Sequence, residues 1–278
     1  MRRHLRMSWF HVRQFVSVPY FIQLMILTTV TTTLIQFLAQ RAWGGITPTE
    51  GWVRGGVIGM WTTATCAAGI VGFERYKGTL VHLILAPIGA LRALTALVAS
   101  AASFGVAALP LSWVTWAVLS WSVDFTPISA SLVPRLLGGA VMLLVGCVVL
   151  SFVVAAVFVL TPNAISYEGL LLVPVFILSG IVFTSVDPPA WLALVSRLIP
   201  LRLPVDLLLG EPIGAVDALV WCSVVLAWLV LSGFLAVRAL RGTTRAGTPE
   251  VARSFTGWHP ACAWAGRPPP LSPPSARR

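Results

Sequence analysis

Long apolar runs alternate with short polar breaks along most of this chain. The breaks carry glycine, proline or asparagine, as at Gly44-Gly45 and Pro188-Pro189. A helix needs about 20 mostly apolar residues to cross a bilayer, and a run in lipid must satisfy its own backbone groups, so these runs are predicted to be helices. The predicted spans are 20–40, 52–73, 91–119, 134–160, 169–186 and 215–237. The fold class is therefore an all-α membrane protein with six transmembrane helices.

The two ends of the chain follow other patterns. At helical spacing, residues 2–17 place Arg2, Arg3, Arg6 and Arg13 on one face, opposite Leu5, Trp9, Val12, Phe15 and Val16. This pattern predicts an interfacial helix over 1–19 that lies in the headgroup plane; a basic flank ahead of the first span is the alternative. Residues 241–278 are rich in Arg, Pro, Gly, Ser and Thr, and they are predicted to be a disordered tail.

Composition and charge support membrane residence. Apolar residues make up 57% of the 278 positions and charged residues only 10%, whereas a soluble domain carries about 25% charged residues. The net charge of +10 does not indicate nucleic-acid binding, because the cations lie in the breaks and at the ends. With both termini in the cytoplasm, fourteen of the nineteen Lys and Arg face the cytoplasm and five face outside. That bias predicts a multi-pass protein of the bacterial inner membrane with this orientation.

Motifs for catalysis are absent from the sequence. It contains no GxxxxGK[ST] loop, no HExxH and no GxSxG, so the chain is not expected to be an enzyme or to bind a cofactor. Cys66, Cys147, Cys222 and Cys262 are scattered and predict packing residues rather than a metal site. The spans carry few ionisable groups, unlike those of ion-coupled carriers. Energy for any transport would then come from a separate motor protein.

Threonines in the first two predicted spans could line a substrate path, namely Thr28, Thr32, Thr62 and Thr65. Small hydroxyl residues serve equally well in helix packing, and the Gly55-x-x-x-Gly59 spacing favours packing. Trp113, Trp116 and Trp121 are typical of an aromatic belt at the outer leaflet.

The segment between the second and third spans reads Phe-Glu-Arg-Tyr-Lys-Gly-Thr-Leu-Val-His-Leu-Ile-Leu-Ala-Pro over 73–87. Here the chain resembles the ABC-2 family of transporter permeases, in particular its drug and antibiotic exporters, which carry an ER-x-x-GTLE-x-LL-x-x-P signature. Val81 and Ile84 depart from that signature. The resemblance implies a coupling helix at about 74–87, with these ATPase-coupling residues: Glu74, Arg75, Lys77, Gly78, Thr79, Leu80, Leu83 and Pro87.

A second segment resembles the same family's SG-x-x-F…P-x-W-L…P-L pattern. Its matching positions include Ser179, Gly180, Pro189, Trp191 and Pro200. In the family this pattern marks short external re-entrant helices after the fifth span, which implies such a segment at about 187–214. The resemblance covers about 1–240 and implies an ABC-2 type transmembrane domain over 20–240.

The resemblance also implies partners. They are two ABC ATPase subunits, which would bind ATP and Mg²⁺, a second permease copy or homologue, and the lipid bilayer. The implied function is export of an amphiphilic drug, antibiotic or lipid-like molecule. Alternatives are a polysaccharide or lipid-linked glycan exporter of the same family, a non-transporting immunity or assembly protein, and an ion-coupled carrier.

Overall fold

A computed structural model describes residues 2–76, 90–121, 129–160, 168–182 and 189–256. Throughout these ranges the regular elements are helices. Their bounds are α1 (Arg2–Ser17), α2 (Pro19–Trp43), α3 (Pro48–Tyr76), α4 (Ala90–Gly105), α5 (Ala108–Ser120), α6 (Val133–Leu160), α7 (Glu168–Leu178), α8 (Ala190–Ser196), α9 (Arg202–Leu209) and α10 (Ala215–Thr256). The prediction of an all-α protein is thus confirmed over the described residues.

Four helical stretches are long and apolar enough to cross a membrane. They are Pro19–Trp43, Arg92–Ser120, Val133–Phe158 and Ala215–Arg238, and they agree with four of the six predicted spans. The second predicted span, 52–73, lies in the continuous helix α3, which carries Glu50 and Arg54 near its start and is not among the four. The fifth, 169–186, is helical only to Leu178, and residues 183–188 lie outside the described residues. These two spans stay predictions.

The third predicted span is made of two helices rather than one. α4 ends at Gly105 and α5 begins at Ala108. Pro110 accounts for the break, because a proline lacks the N–H and crowds the turn that precedes it. A Cβ on Gly105 would lie 3.0 Å from the carbonyl oxygen of Met60. The absence of a side chain at Gly105 thus lets the end of α4 approach the backbone of α3 closely.

α1 has the bounds that its amphipathic pattern predicts. Phe15 is buried, where its ring stacks on Phe104 of α4 and meets Phe21 edge-on. Trp9 and Val16, from the same predicted apolar face, are exposed. Part of this face therefore packs on the helix bundle, and the headgroup location of the rest stays a prediction.

The centre of the bundle is α3, which contacts α2, α4, α5, α6, α7 and α9. Gly51, Gly55 and Gly59 form one stripe along it. A Cβ at these positions would overlap the Trp116 ring, the Thr33 hydroxyl and the Thr29 hydroxyl, respectively. The predicted packing role of the Gly55-x-x-x-Gly59 spacing is confirmed by these contacts. Trp116 is consequently buried in this packing, whereas Trp121 is exposed as a belt residue would be.

The chain divides into two units, Met1–Ala239 and Leu240–Arg278. In the second unit the backbone is helical as far as Thr256, which differs from the disorder predicted from 241. Within this unit, Glu250, Ala252 and Arg253 favour the helical state. Residues 257–278 lie outside the described residues.

Candidate functional site

The sequence-predicted coupling segment begins at the end of α3. Glu74 and Arg75 belong to the last turn of that helix, which ends at Tyr76. Lys77, Gly78, Thr79, Leu80, Leu83 and Pro87 lie outside the described residues. The motif therefore starts directly on a continuous helix of 29 residues, and its coupling role stays a prediction.

The threonines proposed to line a path make hydrogen bonds along their own helices. The hydroxyls of Thr28, Thr32, Thr62 and Thr65 donate to carbonyl oxygens four residues earlier, at 2.6–2.8 Å. Thr65 is buried and the other three are half-buried. These contacts satisfy the hydroxyls without a ligand, as in helix packing, and the substrate path stays a prediction.

A polar joint lies between α2, α3 and α5. The hydroxyls of Thr33 and Ser112 are 2.7 Å apart, and Ser112 donates to the carbonyl oxygen of Trp52. Thr33 and Ser112 are both fully buried. Thr29 and Thr33 therefore pack on the glycine stripe of α3, and Thr32 reaches it with a weaker contact, 3.4 Å from its hydroxyl to the Gly55 carbonyl oxygen.

The predicted external motif takes part in a second polar cluster, which contains charged side chains. α7 ends at Leu178, and Gly180 follows with φ +78°. Glycine adopts this left-handed conformation without the steric cost that a Cβ brings. Ser179 is buried and its hydroxyl donates to the Phe176 carbonyl at 3.0 Å. The turn places the residues after α7 next to α3 and α9.

Two arginines from different helices meet this turn. Arg54 of α3 is only 4% exposed, and its Nη1 donates to the Ile181 carbonyl oxygen at 2.5 Å. The guanidinium of Arg202, on α9, lies against the α-carbon of Gly180. Cations are favourable near a helix C-terminus, where the carbonyl groups carry partial negative charge. We call Arg54, Gly180, Ile181, Arg202 and Asp206 the arginine junction.

The two arginines have different partners. Nε of Arg202 lies 2.9 Å from Oδ2 of Asp206, one turn later on α9. Burial raises the pKa of Asp206 above its usual range, and Arg202 acts in the opposite direction. Arg54 is within electrostatic range of Glu50 and of Arg202, yet its buried Nε has no hydrogen-bond partner. Arg54 is therefore held to the junction chiefly through the Ile181 carbonyl.

The other residues of the external motif lie in the short helices. Pro189 precedes α8 directly, and Trp191 on α8 is 67% exposed. Pro200 lies in the turn before α9, where its carbonyl oxygen accepts a 2.8 Å hydrogen bond from the Trp221 indole of α10. Trp228 donates in the same way to Leu198 at 2.7 Å. The structure thus joins Ser179, Gly180 and the Pro200 turn to the bundle but leaves Trp191 at the surface.

Sequence reasoning missed Arg54, Arg202 and the two tryptophans of α10. Both arginines were counted only among the five cations on the outside. The available signal was the position of Arg54, inside the predicted span 52–73, since an ionisable residue in a span marks a functional candidate. No comparable signal distinguishes Trp221 and Trp228 from other interfacial tryptophans.

Alanine at Gly180 is expected to lower the free energy of unfolding by about 1–3 kcal/mol. A Cβ brings a cost of roughly 1–2 kcal/mol in the left-handed conformation, and here it would also displace the Arg202 guanidinium. Thermal unfolding in detergent measures the effect. Gly169→Ala is the matched control, because nothing lies within 4 Å of a Cβ at that position on α7. Equal melting temperatures for the two variants would contradict the geometry of the junction.

The described residues contain no group of three or more His, Cys, Asp or Glu that could hold a metal ion. Besides the polar joint of Thr33 and Ser112, they form the arginine junction, which can hold helices together and orient a turn. No protein-family model matches the chain, and no match is found among curated proteins or solved structures.

Proposed function

We propose that this chain is the membrane-spanning permease subunit of an ATP-driven ABC exporter that moves an amphiphilic molecule out of the cell. The observation that carries the proposal is the motif over 74–87, which begins on the last turn of α3. A segment of this kind, at the end of a long helix that contacts most of the bundle, is well placed to receive a displacement from a soluble ATPase.

The segment after α7 supports the same proposal. Two short helices, α8 and α9, lie between α7 and the apolar helix α10. Their order agrees with the external re-entrant segment that the family resemblance implies. In the proposed orientation this segment faces the outside, and both termini face the cytoplasm of a bacterial cell. The partners are two ATPase subunits, which bind ATP and Mg²⁺, and a second permease.

An ion-coupled carrier finds less support in the described residues. Such carriers hold a coupling ion with Asp, Glu or His inside the bilayer. Arg54 is the one charged side chain that is buried among the described residues. An arginine neither releases a proton at ordinary pH nor binds a cation. Two alternatives, a glycan exporter and a non-transporting protein, are distinguished from the proposed function by the experiments below.

The proposal is tested by purifying the tagged chain from its own cells in mild detergent. A bound soluble protein with a GxxxxGK[ST] loop, identified by mass spectrometry, is the expected result. Vesicles that contain both proteins should then move labelled amphiphiles only with ATP, and vanadate should stop transport while an uncoupler should not. A labelled lipid-linked glycan in place of the amphiphile tests the glycan exporter.

Three outcomes count against the proposal. Gradient-driven transport by the chain alone, without nucleotide, would make it a carrier. Purification without an ATPase and without transport of either cargo would favour an immunity or assembly protein. Transport of the glycan alone would leave the ATP-driven mechanism in place but change the cargo.

A further inference from the structure

The arginine junction lies at one end of α3, and the proposed coupling motif lies at the other. Arg54 is in the second turn of this helix, and Glu74 and Arg75 are in its last turn. At 1.5 Å per residue, 29 residues span roughly 43 Å. The helix continues without interruption between these points. A helix without a break can carry a displacement from one end to the other.

The packing of α3 favours movement as a rigid body. Its glycine stripe leaves no gap against α2 and α5, since a Cβ at Gly51, Gly55 or Gly59 would overlap a neighbouring side chain. Close-packed interiors transmit strain because they have little free volume to absorb it. Bending of α3 between Gly51 and Gly59 would need to open these contacts.

At the junction, the link between α3 and α7 is a hydrogen bond to the backbone. Arg54 donates to the carbonyl oxygen of Ile181, a residue that is itself 1% exposed. Because the acceptor is a main-chain atom, the bond depends on the position of the backbone after α7 and not on the side chain at 181. A charge-assisted bond in a buried site is stronger than one in water.

Arg54 makes no ion pair with a described residue that would fix its position, although it lies within electrostatic range of Glu50, one turn earlier on α3. Asp206 pairs with Arg202, and no acidic oxygen among the described residues lies within ion-pair distance of Arg54. Its Nε is buried without a partner. A spare donor allows the guanidinium to exchange one acceptor for another when α3 moves relative to α7, and Arg202 disfavours any shift toward α9 by repulsion.

We propose that Arg54 is a positioning residue that couples movement of α3 to the segment formed by the end of α7 and by α8 and α9. The inference rests on the proposed function for the source of the movement. The inference specifies how a displacement of α3 at its Glu74 end would reach the helices at its other end. Arg54 acts through the Ile181 carbonyl and does not contact cargo in this role.

Hydrogen exchange of the purified chain in detergent tests the contact itself. Arg54→Met is expected to speed exchange in 176–182 on the order of tenfold, because the bond to Ile181 is lost. Arg54→Lys keeps the charge and should restore part of the protection. Arg41→Met is the control, since Arg41 is an exposed cation that lies over Phe37 on α2. Unchanged exchange in Arg54→Met would overturn the inference.

The second measurement separates coupling from a structural role. In the complex with its ATPase, ATP and vanadate are expected to change exchange at both 70–76 and 176–182 of the wild type. In Arg54→Met the change at 70–76 should persist, and the change at 176–182 should be lost. An equal response at 176–182 in both proteins contradicts the coupling role.

The two proposals fail in different ways. A wild-type response at 70–76 that does not reach 176–182 counts against Arg54 alone. A wild type that responds at neither end counts against the ATP-driven function and, with it, against coupling through α3. The exchange of the isolated chain still decides whether Arg54 holds the end of α7.

Discussion

Leucine in place of Gly55 is expected to produce a large loss of stability, about 3 kcal/mol or more in the free energy of unfolding. A Cβ at this position would overlap the Thr33 hydroxyl, and it would lie 2.9 Å from the Ser112 hydroxyl and 3.0 Å from the Thr33 α-carbon. The last of these contacts is with backbone, so a change of rotamer cannot relieve it. α2 and α3 would have to separate.

Two costs contribute to this effect. Overpacking a close helix contact costs about 1–3 kcal/mol, and occasionally more. Separating the helices also breaks the buried bonds that link Thr33, Ser112 and the Trp52 carbonyl, each worth about 0.6–1.7 kcal/mol between membrane helices. The gain in helix propensity on replacing glycine, roughly 1 kcal/mol, acts in the opposite direction.

Thermal unfolding in detergent, followed by the loss of monodisperse protein, measures the result. Gly233→Leu is the matched control because it has the same gain in helix propensity, whereas nothing lies within 4 Å of a Cβ at Gly233 on α10. A Gly55→Leu protein that melts together with the Gly233→Leu protein would show that the glycine stripe is not a close helix contact.

The glycine stripe also illustrates what sequence could predict. Apolar runs locate helices because lipid leaves the backbone no other hydrogen-bonded state, and four of the spans agree with helices of sufficient length. The spacing of Gly55 and Gly59 predicts a close contact without naming the partner. The bounds of α1 follow from its arginine face in the same direct way.

The identity of contacting residues could not be predicted with equal success. Thr28 and Thr29 are adjacent in sequence, but only Thr29 is fully buried against α3. The rotation of α2 about its axis decides between them, and a run that is apolar all round gives no face from which to predict that rotation. The contact of Arg54 could not be predicted for a related reason, since its acceptor, the Ile181 carbonyl oxygen, is 127 residues away in the sequence.

The end of α7 shows a further limit. An apolar run over 169–186 predicts a span, yet the helix stops at Leu178. The local cause is Gly180, whose positive φ turns the chain. Ending the helix leaves backbone carbonyl groups without intrahelical partners, and arginines from α3 and α9 lie against this turn. Arg54 and Arg202 are far from Gly180 in sequence, so only the tertiary structure reveals these contacts.

Alanine at both Glu74 and Arg75 is expected to reduce ATP-driven transport and substrate-stimulated ATPase activity on the order of tenfold or more. Coupling free energies between sites are about 1–3 kcal/mol, which corresponds to factors of about 5–150. Under the proposed function these side chains transmit the movement of the ATPase to α3. The substitutions remove one acid and one base, so the net charge of the segment is unchanged.

Two controls distinguish lost coupling from lost folding. Arg92→Ala removes another cation near the same predicted membrane face, from an exposed position on α4, and it should transport normally. The double variant should also insert in the membrane and melt like the wild type, because the close contacts of α3 with α2 and α5 lie at Gly51, Gly55 and Gly59, toward the other end of the helix. Transport and ATPase stimulation at wild-type levels would remove the coupling role from Glu74 and Arg75. In that case any displacement of α3 would have to enter through other residues of the segment, and the bond of Arg54 to the Ile181 carbonyl would remain as the link between α3 and α7.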